Sequence, residues 1–319
     1  MKSEPDLSVR LGRLALRNPV LTASGTFGFG EEYAPVMEVE RLGGICTKGL
    51  SLQPRSGNPG PRLAETPAGM LNAIGLQNPG LERFARDILP RVRALGPAIV
   101  VNIFGSTVEE YETLAARLDA LPGIAALEVN ISCPNVSCGG MAFGADPAVA
   151  AEVSRRVRAA TRLPVLVKLS PNVTDIVAVA RAVAATGVDG LTLINTLKGT
   201  TIDPLTGRFR LGNRFGGLSG PAIRPVAVRM VAEVRQALDI PIVGAGGIVT
   251  WEDALEFIWA GANAVQVGSA TFREPGAAVG VVEGLARFCR DRGVARLQDL
   301  AGRAAPADDI SGMENEGPA

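Results

Sequence analysis

Histidine is absent from the 319 residues of this chain, and every chemical reading has to respect that. The side chain that ordinarily titrates near neutrality is missing, so any proton transfer falls to another residue. The four cysteines, Cys46, Cys133, Cys138 and Cys289, are few and scattered. They fit neither a disulfide framework nor a four-ligand metal site, and only Cys133 and Cys138 lie close together. Cys46 in "GGICTKG" and Cys289 in "LARFCRDRG" read as small buried hydrophobes. Acidic and basic residues balance at 32 each, with no cationic run. That leaves nucleic acid and anionic membrane surfaces without an electrostatic partner. No uncharged apolar run reaches the roughly eighteen residues of a membrane-spanning helix. The opening "MKSEPDLSVRLGR" lacks the apolar core of a signal peptide. A soluble, cytoplasmic protein is expected.

What the chain does contain is a regular alternation of short apolar runs and helical patterns. Strands are expected near 20–24, 43–48, 98–104, 126–132, 164–169, 190–195, 241–246 and 264–269. Their near-continuous apolar character suits parallel strands buried on both faces. Eight of them with intervening helices predict an α/β fold, a (β/α)8 TIM barrel. The opening "LSVRLGRLALRNP" predicts a hairpin plugging the bottom of the barrel. Thr107 with Glu110 forms a capping-box pattern, Thr250 with Asp253 a weaker one, and Asp146-Pro147 an N-cap followed by proline. In the helix after Thr107, Tyr111, Leu114, Ala115, Leu118 and Leu121 recur on one face.

Two connections, 49–80 and 197–220, are rich in Gly and Pro and too long for plain crossovers. Both leave the C-terminal ends of strands, where barrel active sites lie, and are expected to be functional loops. Residues 1–303 read as one domain. The small, acidic stretch 304–319 reads as a disordered tail.

Asparagine is depleted in strands, yet Asn102, Asn130 and Asn195 stand near strand ends, and Lys48 and Lys168 occupy similar places. One such residue could simply bond a turn. Five aimed at one face predict a ring for a planar, hydrogen-bonding ligand and an anion. "GAGGI" after the seventh strand and "VGSA" after the eighth predict a phosphate site at Gly246, Gly247, Gly268 and Ser269, where glycine lets the backbone approach closely. A phosphate end, an amide ring and a lysine on the fifth strand together predict FMN. Lys168 would stabilise negative charge near N1 of the reduced ring. No G-x-G-x-x-G after a strand and no Walker pattern is present.

In "VNISCPN" a buried strand delivers Cys133 to its own end. A free thiol titrates near pH ~8.5, so a modest shift makes it a usable base. The alternative is a buried thiol capping a turn. Asn135, Ser132 and Ser137 would orient the thiol or complete that turn.

These residues lie in longer segments: "ASGTFGFGEEY", "KGLSLQPRSGNPGPRLAETPAGMLNAIGLQNPG", "VNISCPN", "VKLSPN", "LTLINT", "GGLSGPAIRP", "GAGGI" and "AVQVGSA". In this order they resemble the FMN-binding catalytic subunit of class 1B dihydroorotate dehydrogenase, across nearly all of residues 10–300. The resemblance implies oxidation of dihydroorotate to orotate in pyrimidine (UMP) biosynthesis. Cys133 would remove the C5 proton while a hydride passes from C6 to the flavin. It places FMN on Ser24, Lys48, Gly49, Asn102, Asn130, Lys168, Ile194, Gly220, Gly246, Gly247, Gly268 and Ser269. It places the substrate on Lys48, Asn72, Ala73, Ile74, Gly75, Leu76, Asn130, Asn195 and Thr196. It further implies a homodimer joined by two iron–sulfur subunits that carry FAD and 2Fe–2S and pass electrons to NAD, a heterotetramer. Membrane-linked class 2 members use serine as base and carry an N-terminal extension, and class 1A members are fumarate-using homodimers with different early motifs. Phe104 stands where the family has a small residue, and would narrow the space near the flavin or repack the barrel. Cys138 has no role in this pattern.

Three rivals remain at this point. They are a related flavin barrel such as the pyrimidine-reducing part of dihydropyrimidine dehydrogenase, a flavin-free lyase with Lys168 or Lys48 as Schiff-base amine, and a non-catalytic binding barrel. The last leaves Cys133 and both lysines without a purpose.

Overall fold

The eight apolar runs become eight parallel strands: Val20–Thr22, Gly44–Cys46, Ala98–Ile103, Ala126–Asn130, Val165–Lys168, Gly190–Leu193, Ile242–Ala245 and Ala264–Val267. Each pairs with its neighbour in the chain, and the eighth closes on the first with Val265 opposite Val20. The computed structural model describes residues 4–131, 137–138, 141–142 and 144–306. The last four strands are buried along their whole length. That is why they read as continuous apolar runs, since a parallel strand is covered by the barrel core on one face and by helices on the other. The strands are one to three residues shorter than the runs suggest. Most of the residues lost are at the C-terminal strand ends, where the chain turns into the loops of the site, with one also lost at the start of the second, fifth and seventh strands.

The capping signals hold, with one reversal. Asp146 accepts from the N–H groups of Ala148 and Val149 and opens the helix Pro147–Ala160. Thr250, the weaker pattern by sequence, forms the fully reciprocal box with Asp253 at the start of Trp251–Ala260. Thr107 accepts from the Glu110 N–H, but the Glu110 carboxylate reaches back to Ser106, one residue beyond the cap. The helix Val108–Asp119 buries Tyr111, Leu114, Ala115 and Leu118. It ends before Leu121, which packs on the core from the turn that follows.

The opening segment is the expected hairpin, Val9–Leu11 against Leu14–Leu16. Its Val9, Leu11, Leu14 and Leu16 cluster with Leu21, Cys46, Val100, Leu166 and Val243 of the barrel strands. The hairpin therefore stoppers the N-terminal end of the barrel.

The opposite end is covered by something the sequence did not announce. The two long connections pair into one antiparallel sheet, in the order Leu197–Gly199, Gly216–Ser219, Gly69–Asn72, Leu63–Thr66. Its small apolar core of Leu71, Ala73 and Leu211, with Ala64 and Leu218 against it, holds the two loops together over the mouth. At the other terminus, Ala304 still donates its N–H to the Trp259 carbonyl, and the remainder of the expected tail, 307–319, lies outside the described residues. No helix among the described residues is long and apolar enough to cross a membrane.

Candidate active site

Below the mouth lies a carboxylate that composition gave no reason to single out. Glu128, the charged residue of the fourth strand "ALEVN", is fully buried. Its Oε1 accepts from Asn102 Nδ2 at 2.7 Å and from Cys46 Sγ at 3.1 Å. Its Oε2 accepts from Thr192 Oγ1 at 2.9 Å and Gln266 Nε2 at 2.5 Å. Lys168 Nζ stands 3.8 Å from Oε1. The lysine in turn donates to Gln266 Oε1 at 3.1 Å and to Ser24 Oγ at 3.5 Å. Burial opposes ionisation of this carboxyl, but Lys168 and the donors from Cys46, Gln266 and Asn102 outweigh it and hold the pKa below the usual carboxylate value. Burial and the neighbouring Glu128 charge push the Cys46 thiol well up. Cys46 is buried as expected, yet it is a hydrogen-bond donor of this layer rather than a mere hydrophobe.

The ring of strand-end residues sits on this layer. Asn102 is fully buried, and its Oδ1 has no hydrogen-bond partner. A Cβ added to Gly49 would lie 3.1 Å from that oxygen and 3.2 Å from the Phe104 ring. Gly49 is therefore the only residue type that leaves the oxygen this much room. The Phe104 ring does narrow the space beside Gly49, and it is held there by the Arg55 guanidinium 5.0 Å above it. Asn195 Nδ2 reaches Asn130 Oδ1 at 3.4 Å, and the Thr196 N–H donates to Asn195 Oδ1 at 2.8 Å. Tyr111 donates its hydroxyl to the Asn130 carbonyl at 2.7 Å and so fixes the end of the fourth strand.

The small sheet brings the remaining predicted substrate residues to the same mouth. Asn72 donates to the Gly217 carbonyl at 3.2 Å. Asn58 holds the carbonyls of Ala73 and Ile74. Gly75 and Leu76 both take positive φ, 75° and 57°. Leu76 is not glycine, and its carbonyl is clamped by Asn78 Nδ2 at 2.9 Å. Lys48 is half-buried at the second strand's end. Desolvation lowers its pKa, Glu32 opposes that shift and Arg62 adds to it, so an anion placed beside it would be favoured.

The glycines gather at the other side of the mouth. Gly220, Gly246 and Gly247 have φ of 99°, 127° and 80°, a region that favours glycine. A Cβ on Gly247 would lie 2.8 Å from the Gly220 carbonyl oxygen, and one on Gly246 3.5 Å from Ile194 Cγ1. A Cβ on Gly268 would lie 3.3 Å from the Cβ of Ala23, next to Ser24, and Ser269 opens a short 3-10 turn. Arg224 packs on Gly247 but gives its guanidinium to Asp253 and Glu256. Glycine-rich turns of this kind let a ligand approach the backbone closely.

Of the predicted site residues, only Cys133 lies outside the described residues, as do Ser132 and Asn135. The last described residues before them are the fourth strand's end at Asn130 and Ile131. Sequence reasoning missed Glu128, Gln266, Asn58 and Asn78. The available signal was a charged residue and an amide inside otherwise apolar strands, "ALEVN" and "AVQVG".

Fold and strand-end residues together are those of a (β/α)8 barrel with amides, lysines and positive-φ glycines gathered at one mouth. The sequence profile of the dihydroorotate dehydrogenase family matches residues 6–289. The chain is 57% identical over 297 residues to the catalytic subunit of dihydroorotate dehydrogenase B (NAD(+)) from Desulforudis audaxviator, covering 93% of this chain and 97% of that one. The proteins of the same name from Pelobacter propionicus and Geobacter sulfurreducens are 55% and 54% identical, each over 94% of this chain and 98% of their own. This chain belongs to the dihydroorotate dehydrogenase family.

Proposed function

We propose that this chain is the dihydroorotate-oxidising subunit of an NAD-linked enzyme of pyrimidine biosynthesis, and that it holds FMN across its barrel mouth. The observation that carries the reading is Asn102 Oδ1, a buried acceptor without a partner beside Gly49 and above the Glu128–Lys168 layer. A buried polar atom left unpaired costs about 1–3 kcal/mol, and a ligand N–H at this spot relieves that cost. The donor set fits FMN. The amide ring suits the polar edge of its ring system, Lys168 lies where a negative charge is stabilised, and the cradle of Gly220, Gly246, Gly247, Gly268 and Ser269 suits its phosphate. Ser24, Lys48, Gly49, Asn130 and Ile194 complete the enclosure.

FMN, when bound, supplies the acceptor for the hydride that leaves C6 of dihydroorotate. This chain supplies the rest. Cys133, as thiolate, takes the C5 proton, so that the electron pair left at C5 and the departing hydride together create the C5–C6 double bond of orotate. Lys48 pairs with the substrate carboxylate. Asn72 to Leu76, Asn130, Asn195 and Thr196 hold the pyrimidine amides by complementary donors and acceptors. The printed names of the relatives, a catalytic subunit of an NAD(+) enzyme, support a separate electron-transfer subunit. In that reading two FAD- and 2Fe–2S-carrying subunits join a homodimer of this chain in the cytoplasm.

The test is a visible spectrum of the purified chain without oxygen, before and after dihydroorotate. Flavin bands that bleach on addition are expected. Bands that persist point to another pyrimidine, and a chain that stays colourless after FMN is added overturns the cofactor assignment.

A further inference from the structure

We propose that Glu128 is a positioning residue: an acceptor-only carboxylate that sets which way the Asn102 and Gln266 amides face, and through them presents the site's acceptor and holds its lysine. An amide has one face that donates and one that accepts, and its orientation follows from what it meets. Both amides here meet the same carboxylate, which can only accept. Asn102 therefore turns its NH2 to Oε1 at 2.7 Å, and Gln266 turns its NH2 to Oε2 at 2.5 Å. Each carbonyl is left pointing elsewhere. That of Asn102 becomes the unpartnered acceptor beside Gly49. That of Gln266 receives Lys168 Nζ at 3.1 Å. Reversing either amide would set an oxygen against the carboxylate. Reversing Gln266 would also set its NH2 against the ammonium of Lys168.

The carboxylate acts through position and charge together. It is paired with Lys168 at 3.8 Å with both groups buried, so its charge opposes the lysine's field at the mouth. The strands pair through their backbones, and the neighbouring interior positions of the lower barrel, Val100 and Leu166, are apolar. Of the five side chains that meet this buried charge, one amide turns its oxygen toward Gly49 and the other receives the lysine, which is the pattern of an orienting group.

This inference rests on the FMN reading above, and the experiment separates the two. FMN is titrated into the apoprotein by fluorescence, and the midpoint potential of the reconstituted protein is measured. A wild-type apoprotein that takes up no FMN defeats the cofactor reading itself. Given uptake, Glu128→Gln is expected to weaken FMN binding about tenfold, the worth of one good hydrogen bond. It should also make the potential more positive, because the lysine's charge is no longer opposed. Adding Asn102→Asp to Glu128→Gln exchanges amide and carboxylate and restores an oxygen beside Gly49, so most of the lost affinity should return. Wild-type affinity and potential in Glu128→Gln overturn the proposal, as does a loss that the exchange leaves unrelieved. If the single variant does not fold, the exchanged pair decides alone: affinity near wild type sustains the proposal and a tenfold loss overturns it.

Discussion

At the bottom of the barrel Asp189 accepts from the N–H groups of Val165 and Arg13 and from Arg13 Nε and Nη2, at 2.8–3.1 Å. Higher in the same barrel Glu128 accepts only from side chains, those of Cys46, Asn102, Thr192 and Gln266. Both carboxylates are buried, and both are held below the ordinary carboxylate pKa against the cost of that burial. What they hold differs. Asp189 ties the hairpin turn at Gly12-Arg13 to the start of two strands, so its partners are the fold itself. Glu128 ties together side chains from five other strands, among them Lys168 and Asn102, whose oxygen is left beside Gly49. If Glu128 orients the site as proposed, the same chemical group serves the fold at one level of the barrel and the site at another.

The sharpest way to break this division is at the top. Cys133→Ser should leave flavin binding intact and cut turnover near neutral pH by roughly 10²–10⁴, the usual worth of a positioned base. Activity should partly return at high pH, where the weaker acid ionises. Unchanged turnover in steady-state assays at neutral pH removes the cysteine from the base role. At the bottom, Leu11→Ala should do the converse. Leu11 is fully buried in the plug, and such truncations cost about 2–5 kcal/mol of stability. The denaturant midpoint should fall while the FMN dissociation constant holds. A matching loss of FMN affinity would mean that plug and mouth are one energetic unit.

How legible each end was follows from the range of its contacts. The eight strands announce themselves because burial on both faces leaves a continuous apolar signature, and the plug because its "VRLGRLAL" alternates around a glycine. The glycines of "GAGGI" stood out because Gly246 and Gly247 take positive φ, a region that favours that residue type. The sheet over the mouth was not. "GGLS" has no strand pattern, and Gly217 meets Asn72 from 145 residues away, a pairing no local window contains. Glu128 was visible as an anomaly, but its meaning comes from partners on five other strands, at Cys46, Asn102, Lys168, Thr192 and Gln266. Cys46 was read as a plain hydrophobe for the same reason, since its thiol's partner lies on another strand. Cys133 was singled out through the missing histidine and the family motif, and it lies outside the described residues.

The mildest test of the comparison is Asp189→Asn. The Arg13 side of its pair is half-exposed, 46% against 6% for the aspartate, and solvent screens that side. The larger loss is the charged acceptor for two backbone N–H groups, worth about 1–3 kcal/mol. Because hydrogen bonds from Arg13 and Val165 overcome burial and depress the folded-state pKa of Asp189, its contribution is present above the unfolded aspartate pKa of ~3.9. It is lost as pH falls through the lower folded value. Urea titrations should therefore show wild type and Asp189→Asn differing at pH 7 and converging in strong acid, with FMN affinity equal throughout. A gap that persists into acid would mean that the variant acts through packing at Gly12, whose Cβ position lies 2.7 Å from that of Asp189, and not through charge. A change in FMN affinity would mean that the bottom carboxylate, like Glu128, reaches the site.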